Sequence, residues 1–173
     1  ATVTIDGTEL TPNTRILLPI PITSQSVRMG ATPQRVQIDL KIGDGVPPGF
    51  HLLRVANDKG ISAPVGIEID DLPLQLFGPQ VEKVPVSLSG TLSGSGTLST
   101  AFTGKKGQRL VIEVDARRIG SVIDPVVKLL DPRRVQLAYA AGSTTLGGDC
   151  RLATVLPADG TYTIELHDAA YRA

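Results

Sequence analysis

The chain has 173 residues, 41% hydrophobic and 3% aromatic with no Trp, and its 17 basic and 17 acidic side chains cancel. That apolar content fits one large or two small cores and argues against disorder, while the zero net charge lacks the basic excess of a nucleic-acid binder. Cores this poor in aromatics are built from Val, Ile and Leu, which suits β-sheet and leaves few planes for stacking sugars or bases. The charge is also even along the chain, with six basic against eight acidic residues up to Phe77 and eleven against nine beyond it. The lone Cys150 excludes a disulfide within the chain. No apolar run approaches the roughly 18 residues of a membrane span. Because the chain starts at Ala1 rather than Met, it reads as an excised segment of an exported protein whose signal lay upstream.

Helical periodicity is nearly absent, and short alternating runs recur between Gly and Pro residues. Thr2 to Ile5 and Arg15 to Leu18 read as strands. In the cleanest alternation Val36, Ile38, Leu40 and Ile42 face inward, with Gln37, Asp39 and Lys41 outward. Asp44 to Gly49 turns the chain into a strand whose inner set is His51, Leu53 and Val55. Asn57-Asp58-Lys59-Gly60 then leads into Ile61 to Ile69. Pro19, Pro21 and Pro64 would interrupt a central ladder, so their surroundings are edges or irregular.

A boundary is expected between Asp70 and Pro85, where prolines suggest a short stiff linker. The expected domains are residues 1–76 and 77–173. The second opens with Val86-Ser87-Leu88 and a repeated Ser-Gly-Thr-Leu-Ser around Gly94, read as a turn between two weak strands. Strands follow at Gln108 to Ala116, Asp124 to Asp131, Val135 to Tyr139 and Arg151 to Leu156. Pro157-Ala158-Asp159-Gly160-Thr161-Tyr162 closes the series and echoes Pro47-Pro48-Gly49-Phe50-His51, about 110 residues earlier. In each, a glycine corner feeds a strand with a ring two residues on, similar to the tyrosine corner of immunoglobulin-like sandwiches. The fold class expected is all-β: two tandem β-sandwiches, Ig-like and then jelly-roll-like. A further strand is expected beyond Leu166, and an unpaired edge there would invite strand-mediated dimerisation.

The second part resembles the bacterial pre-peptidase C-terminal domain, in the form found in large exported planctomycete-type proteins. The matching residues are Phe102, Gly104-Lys105-Lys106-Gly107-Gln108-Arg109-Leu110, Val114, Ala116 to Ser121, Asp124 to Asp131 and Pro157 to Thr163. The resemblance implies a jelly-roll-like sandwich that is non-catalytic and appended to secreted hydrolases or surface proteins. The first part resembles the immunoglobulin-like fold of the IPT/TIG type through Pro47-Pro48-Gly49, Leu53 to Asn57 and Gly60, with His51 where that family commonly has Tyr. Two departures concern metal. The stretch Leu98 to Phe102 lacks the aspartates that family members often carry, and Ala140 to Thr145 is neutral where many are acidic. If those acids bind calcium in relatives, this copy has lost that capacity.

Asp124, Asp131 and Asp149 remain as candidate calcium ligands, since calcium takes six to eight oxygens from converging loops. The competing reading is that Asp124 and Asp131, each before a proline, set turns at the two ends of one strand. No other cofactor is implied. His51 reads as a corner filler, His167 and Asp168 as a surface pair, and Cys150 as a bystander thiol. No nucleophile–His–acid set or Gly-x-Ser-x-Gly elbow is present, and Gly94-Ser95-Gly96 lacks the Lys and helix of a phosphate loop. Lys105-Lys106, Arg117-Arg118 and Arg133-Arg134 read as solvated turns or strand ends.

The expected function is a non-enzymatic accessory module, a spacer or partner-binding domain of a larger exported bacterial protein. Expected partners are neighbouring domains or an extracellular protein or polysaccharide, without nucleic acid or membrane insertion. The alternatives are a carbohydrate-binding module, which an exposed coplanar Tyr139 and Tyr171 would support, and a peptidase-associated chaperone or inhibitor, which needs an exposed apolar patch.

Overall fold

The computed structural model describes residues 1–93 and 95–172, and the chain divides into two compact units, Ala1–Asp70 and Asp71 onward. Both are all-β sandwiches. The Gly94 corner expected between two strands lies outside the described residues.

In the first unit β1 (Thr2–Asp6), β2 (Arg15–Leu17), β3 (Ile22–Val27), β4 (Arg35–Ile42), β5 (Gly49–Asn57), β6 (Gly60–Ile61) and β7 (Val65–Ile69) form two sheets. One has the order β1-β4-β3, and the other centres on β5 with β2, β6 and β7 as its neighbours, every pair antiparallel. The alternation expected in β4 is present: Val36, Ile38 and Leu40 are buried between the sheets against Ile16 and Leu53. Pro19, Pro21 and Pro64 all fall between strands, where a missing N–H interrupts no ladder.

β3 carries no hydrophobic alternation that would announce it, because Thr23, Ser24, Gln25 and Ser26 fill its middle. Its place is held by a polar device. The Gln25 amide accepts from the Ile16 N–H at 2.7 Å and donates to the Ile16 carbonyl at 3.1 Å, satisfying both groups of a fully buried residue.

The second unit contains β8 (Leu74–Leu76), β9 (Ser87–Ser89), β10 (Thr97–Gly104), β11 (Arg109–Val114), β12 (Pro125–Leu130), β13 (Gln136–Ala141), β14 (Cys150–Val155) and β15 (Gly160–Asp168). A four-stranded antiparallel sheet runs β10-β15-β12-β13, and β11 pairs β14 in a second sheet. Phe102, Val127, Leu129 and Tyr162 from the first pack on Leu110, Cys150 and Leu152 from the second, which makes the core.

Two sequence expectations give way here. The stretch read as a linker belongs to the second unit: β8 pairs β9 in parallel, Val81 is buried in the core, and its N–H bonds the Ala101 carbonyl of β10. The prolines there mark turns within a packed segment, and the division falls at Asp70 rather than at residue 76. The strand reaching Asp168 also has no open edge, because β15 is flanked by β10 and β12 on its two sides.

The corner ahead of β15 is built as its sequence suggested. Gly160 has φ 151, and a Cβ there would lie 2.6 Å from Pro132 Cγ, so the position requires glycine. Two residues on, the fully buried Tyr162 donates its hydroxyl to the Ala158 carbonyl at 2.7 Å. The same hydroxyl accepts from the Ala158 N–H at 3.3 Å, and the ring stacks on Phe102 at 5.7 Å.

Candidate functional site

The strongest polar constellation gathers on Asp149. Its side chain is fully buried just before β14, facing the 3-10 turn Arg117–Ile119. One carboxylate oxygen accepts from the backbone N–H of Ala116 and Arg117 at 3.0 and 2.7 Å. The other accepts from the Arg118 N–H at 3.2 Å and from the Arg118 guanidinium at 3.0 Å. Burial works against the charged form, but these donors outweigh it and hold the carboxyl below the usual aspartate range. Arg118 also pairs with Glu113 at 3.1 Å and with Asp115. Arg118, read from sequence as part of a solvated basic patch, is thus the centre of a three-carboxylate network.

The other two candidate calcium ligands lie elsewhere. Asp124 and Asp131 stand at opposite ends of β12, on the order of 20 Å apart at strand rise. Asp124 accepts from the Arg117 guanidinium at 2.7 Å. Arg117 itself crosses Gly148, where a Cβ would meet its Cδ at 2.5 Å. Asp131 closes its own turn, accepting from the N–H groups of Arg133 and Val135 at 2.8 and 2.9 Å. The structure therefore does not bring Asp124, Asp131 and Asp149 together, and a guanidinium already lies beside each of them, Arg117, Arg133 and Arg118 in turn.

His167 and Asp168, expected as a surface pair, are both buried. Asp168 accepts from the N–H groups of Asp124, Ala170 and Arg172 at 2.8 to 3.0 Å, pinning the chain after β15 to the start of β12. His167 directs Nδ1 to the Asp168 carbonyl and stacks on Tyr171 with centroids 4.5 Å apart and planes 3° from parallel. Tyr171 is therefore engaged with His167, while Tyr139 stands on β13 with 63% of its surface exposed. No Tyr139–Tyr171 platform forms among the described residues. Cys150 is fully buried, and burial pushes its thiol up to about 11, so it remains protonated at neutral pH. His51 contributes to the inner face of β5 as expected, with Nε2 buried.

The first unit has a different feature on the outer face of β5. Alternation that turns Leu53 inward turns Phe50, Leu52 and Arg54 outward, and register places Leu17 of β2 opposite Arg54. With Leu18, Pro19 and the edge of His51 these residues line a shallow, predominantly apolar depression of ≈ 470 Å³. Leu52 keeps 60% of its surface exposed there, and Arg54 at the rim donates to the Ser62 carbonyl at 2.9 Å. Sequence alternation marks Phe50 and Leu52 as outward. It does not show that Leu17, Leu18 and Pro19 come beside them, since that proximity depends on β2–β5 pairing.

No family model, curated protein or solved structure matches this chain. Function is therefore to be read from side-chain chemistry, because a sandwich fold alone supports many activities. No helix among the described residues is long and apolar enough to cross a membrane.

Proposed function

We propose that this chain is a non-catalytic accessory module of a larger exported bacterial protein, and that it binds a protein partner through the apolar depression on the first unit. The domain reading that accompanies the proposal is an IPT/TIG-like sandwich followed by a pre-peptidase C-terminal-like one. The observation that carries the binding role is the gathering of Leu17, Leu18, Pro19, Phe50 and Leu52 around one concave surface with a single cation at its rim. Large side chains left in water on an outer sheet face are what an interface uses, whereas the buried carboxylates of the second unit are engaged by backbone and Arg donors. The same patch also favours a second reading, a peptidase-associated chaperone that covers an apolar segment of its own parent chain.

Anilinonaphthalene sulfonate tests the surface, because its rings match the apolar lining and its sulfonate matches Arg54. The protein is expected to enhance the probe's fluorescence several-fold, and Leu52→Asp to remove most of that enhancement. Leu76→Asp, at a still more exposed leucine of the second unit, leaves it unchanged. Enhancement that survives Leu52→Asp would overturn the assignment.

A further inference from the structure

An independent surface lies on the second unit. The four-stranded sheet has β10 and β13 at its edges, and the β10 edge is crossed at its centre by the 79–81 segment, bonded to both backbone groups of Ala101. β13 has a backbone partner only in β12 among the described residues. Edges are normally protected by charge, proline or brevity. β11 and β14 carry Arg109, Glu113 and Arg151, β2, β6, β8 and β9 are two or three residues long, and β3 is linked to β2 through Gln25. β13 reads Gln136-Leu137-Ala138-Tyr139-Ala140-Ala141, with no charge and no proline. Its bulge, against Leu129 and Leu130, is confined to the end nearest Gln136.

We propose that β13 is a strand-addition edge whose partner is the same strand of a second copy of this chain, paired antiparallel about Tyr139. Antiparallel neighbours share a face, so a two-fold axis at Tyr139 sets each Tyr139 opposite its counterpart on the outer face. The same register sets Ala138 opposite Ala140 on the inner face, where both already pack against the core. An axis between Ala138 and Tyr139 would instead oppose an inward residue to an outward one, which the pleat forbids. On the outer face Lys128 stands opposite Tyr139 on the inner neighbour β12, so the nearest charge is set one strand back from the dyad. Every residue brought into the pairing is uncharged, with Leu137 facing Ala141 beyond the Ala138–Ala140 pair. The pairing would join two four-stranded sheets into one of eight strands. It concerns the second unit and does not depend on the depression of the first.

A single short strand pair makes a weak, concentration-dependent dimer. Sedimentation from about 1 μM to about 1 mM is expected to show the 18.2 kDa monomer rising toward twice that mass. Tyr139→Lys, at an outward position that leaves the core untouched, is expected to hold the monomer mass throughout. Tyr139→Cys is expected to yield a disulfide-linked dimer under mild oxidation, because facing Cβ atoms about 4.5–5.5 Å apart are close to bridging distance. Val122→Cys, 85% exposed but off the strand, is not expected to cross-link. A wild-type mass fixed at 18.2 kDa to 1 mM without Tyr139→Cys cross-linking would overturn the proposal, as would a dimer insensitive to Tyr139→Lys.

Discussion

Asp149→Ala is expected to lower the free energy of unfolding by about 3–5 kcal/mol, read as a lower urea midpoint with an unchanged slope. The substitution leaves the N–H groups of Ala116, Arg117 and Arg118 without their acceptor and removes one of three carboxylates around the Arg118 guanidinium. Burial makes those losses expensive, since water does not reach a side chain with zero exposure. Asp149→Asn keeps the size and one acceptor oxygen but turns an NH₂ toward donors, so it falls between wild type and Ala. The same carboxylate sets an acid dependence. Its folded pKa lies below the unfolded value, so its contribution is complete above about pH 4–5 and is lost as pH falls through the folded pKa. Asp168 acts in the same direction, lowered by the Asp124, Arg172 and Ala170 N–H groups. Acid melts are therefore expected to steepen below about pH 4, with a shallower loss in Asp149→Ala.

Tyr162→Ala is expected to cost a similar amount, about 3–5 kcal/mol, because it opens a cavity between the two sheets and removes the corner hydrogen bonds together. Tyr162 is fully buried, stacked on Phe102, and packed where a Cβ on Gly104 would come within 3.0 Å of its ring. Tyr162→Phe separates the two effects. It keeps the stack and removes only the hydroxyl bonds to Ala158, for an expected loss of about 1–2 kcal/mol in the same unfolding experiment. A Phe variant as unstable as the Ala variant would mean that the corner bond, rather than the ring, holds β15 in place.

What was legible from sequence is what period and turn chemistry encode. β4 alternates cleanly, β12 is a short apolar run between two Asp-Pro pairs, and both corner glycines open strands. β3 was not legible because its anchor is a side-chain amide mimicking a strand partner. The segment before β9 departs from the expected linker for a related reason: prolines signal irregular backbone in a linker and in a packed edge segment alike, and Val81 in the core separates the two. Among the candidate site residues, Asp131 sets the turn after β12, in keeping with its place before proline, whereas Asp124 makes no turn of its own and accepts from the Arg117 guanidinium. Asp149 is different, since its donors come from a turn more than 30 residues earlier in the chain. His167 and Asp168 follow the last apolar residue of β15, so the sequence reads them as surface residues. The return of Ala170 and Arg172 onto the Asp168 carboxylate, a local hydrogen-bond pattern without hydrophobic period, accounts for their burial.

We propose a division of labour, in which buried acidic side chains hold the second sandwich together and recognition belongs to apolar and edge surfaces. Thermal unfolding in about 5 mM calcium, compared with chelator, tests it most directly, because an extracellular-type calcium site would add about 1–2 kcal/mol and raise Tm by several degrees. With Asp124 and Asp149 beside Arg117 and Arg118, and Asp131 closing its own turn at the far end of β12, the two melts are expected to coincide. A clear upward shift with calcium would contradict the account and move those aspartates from scaffold to site.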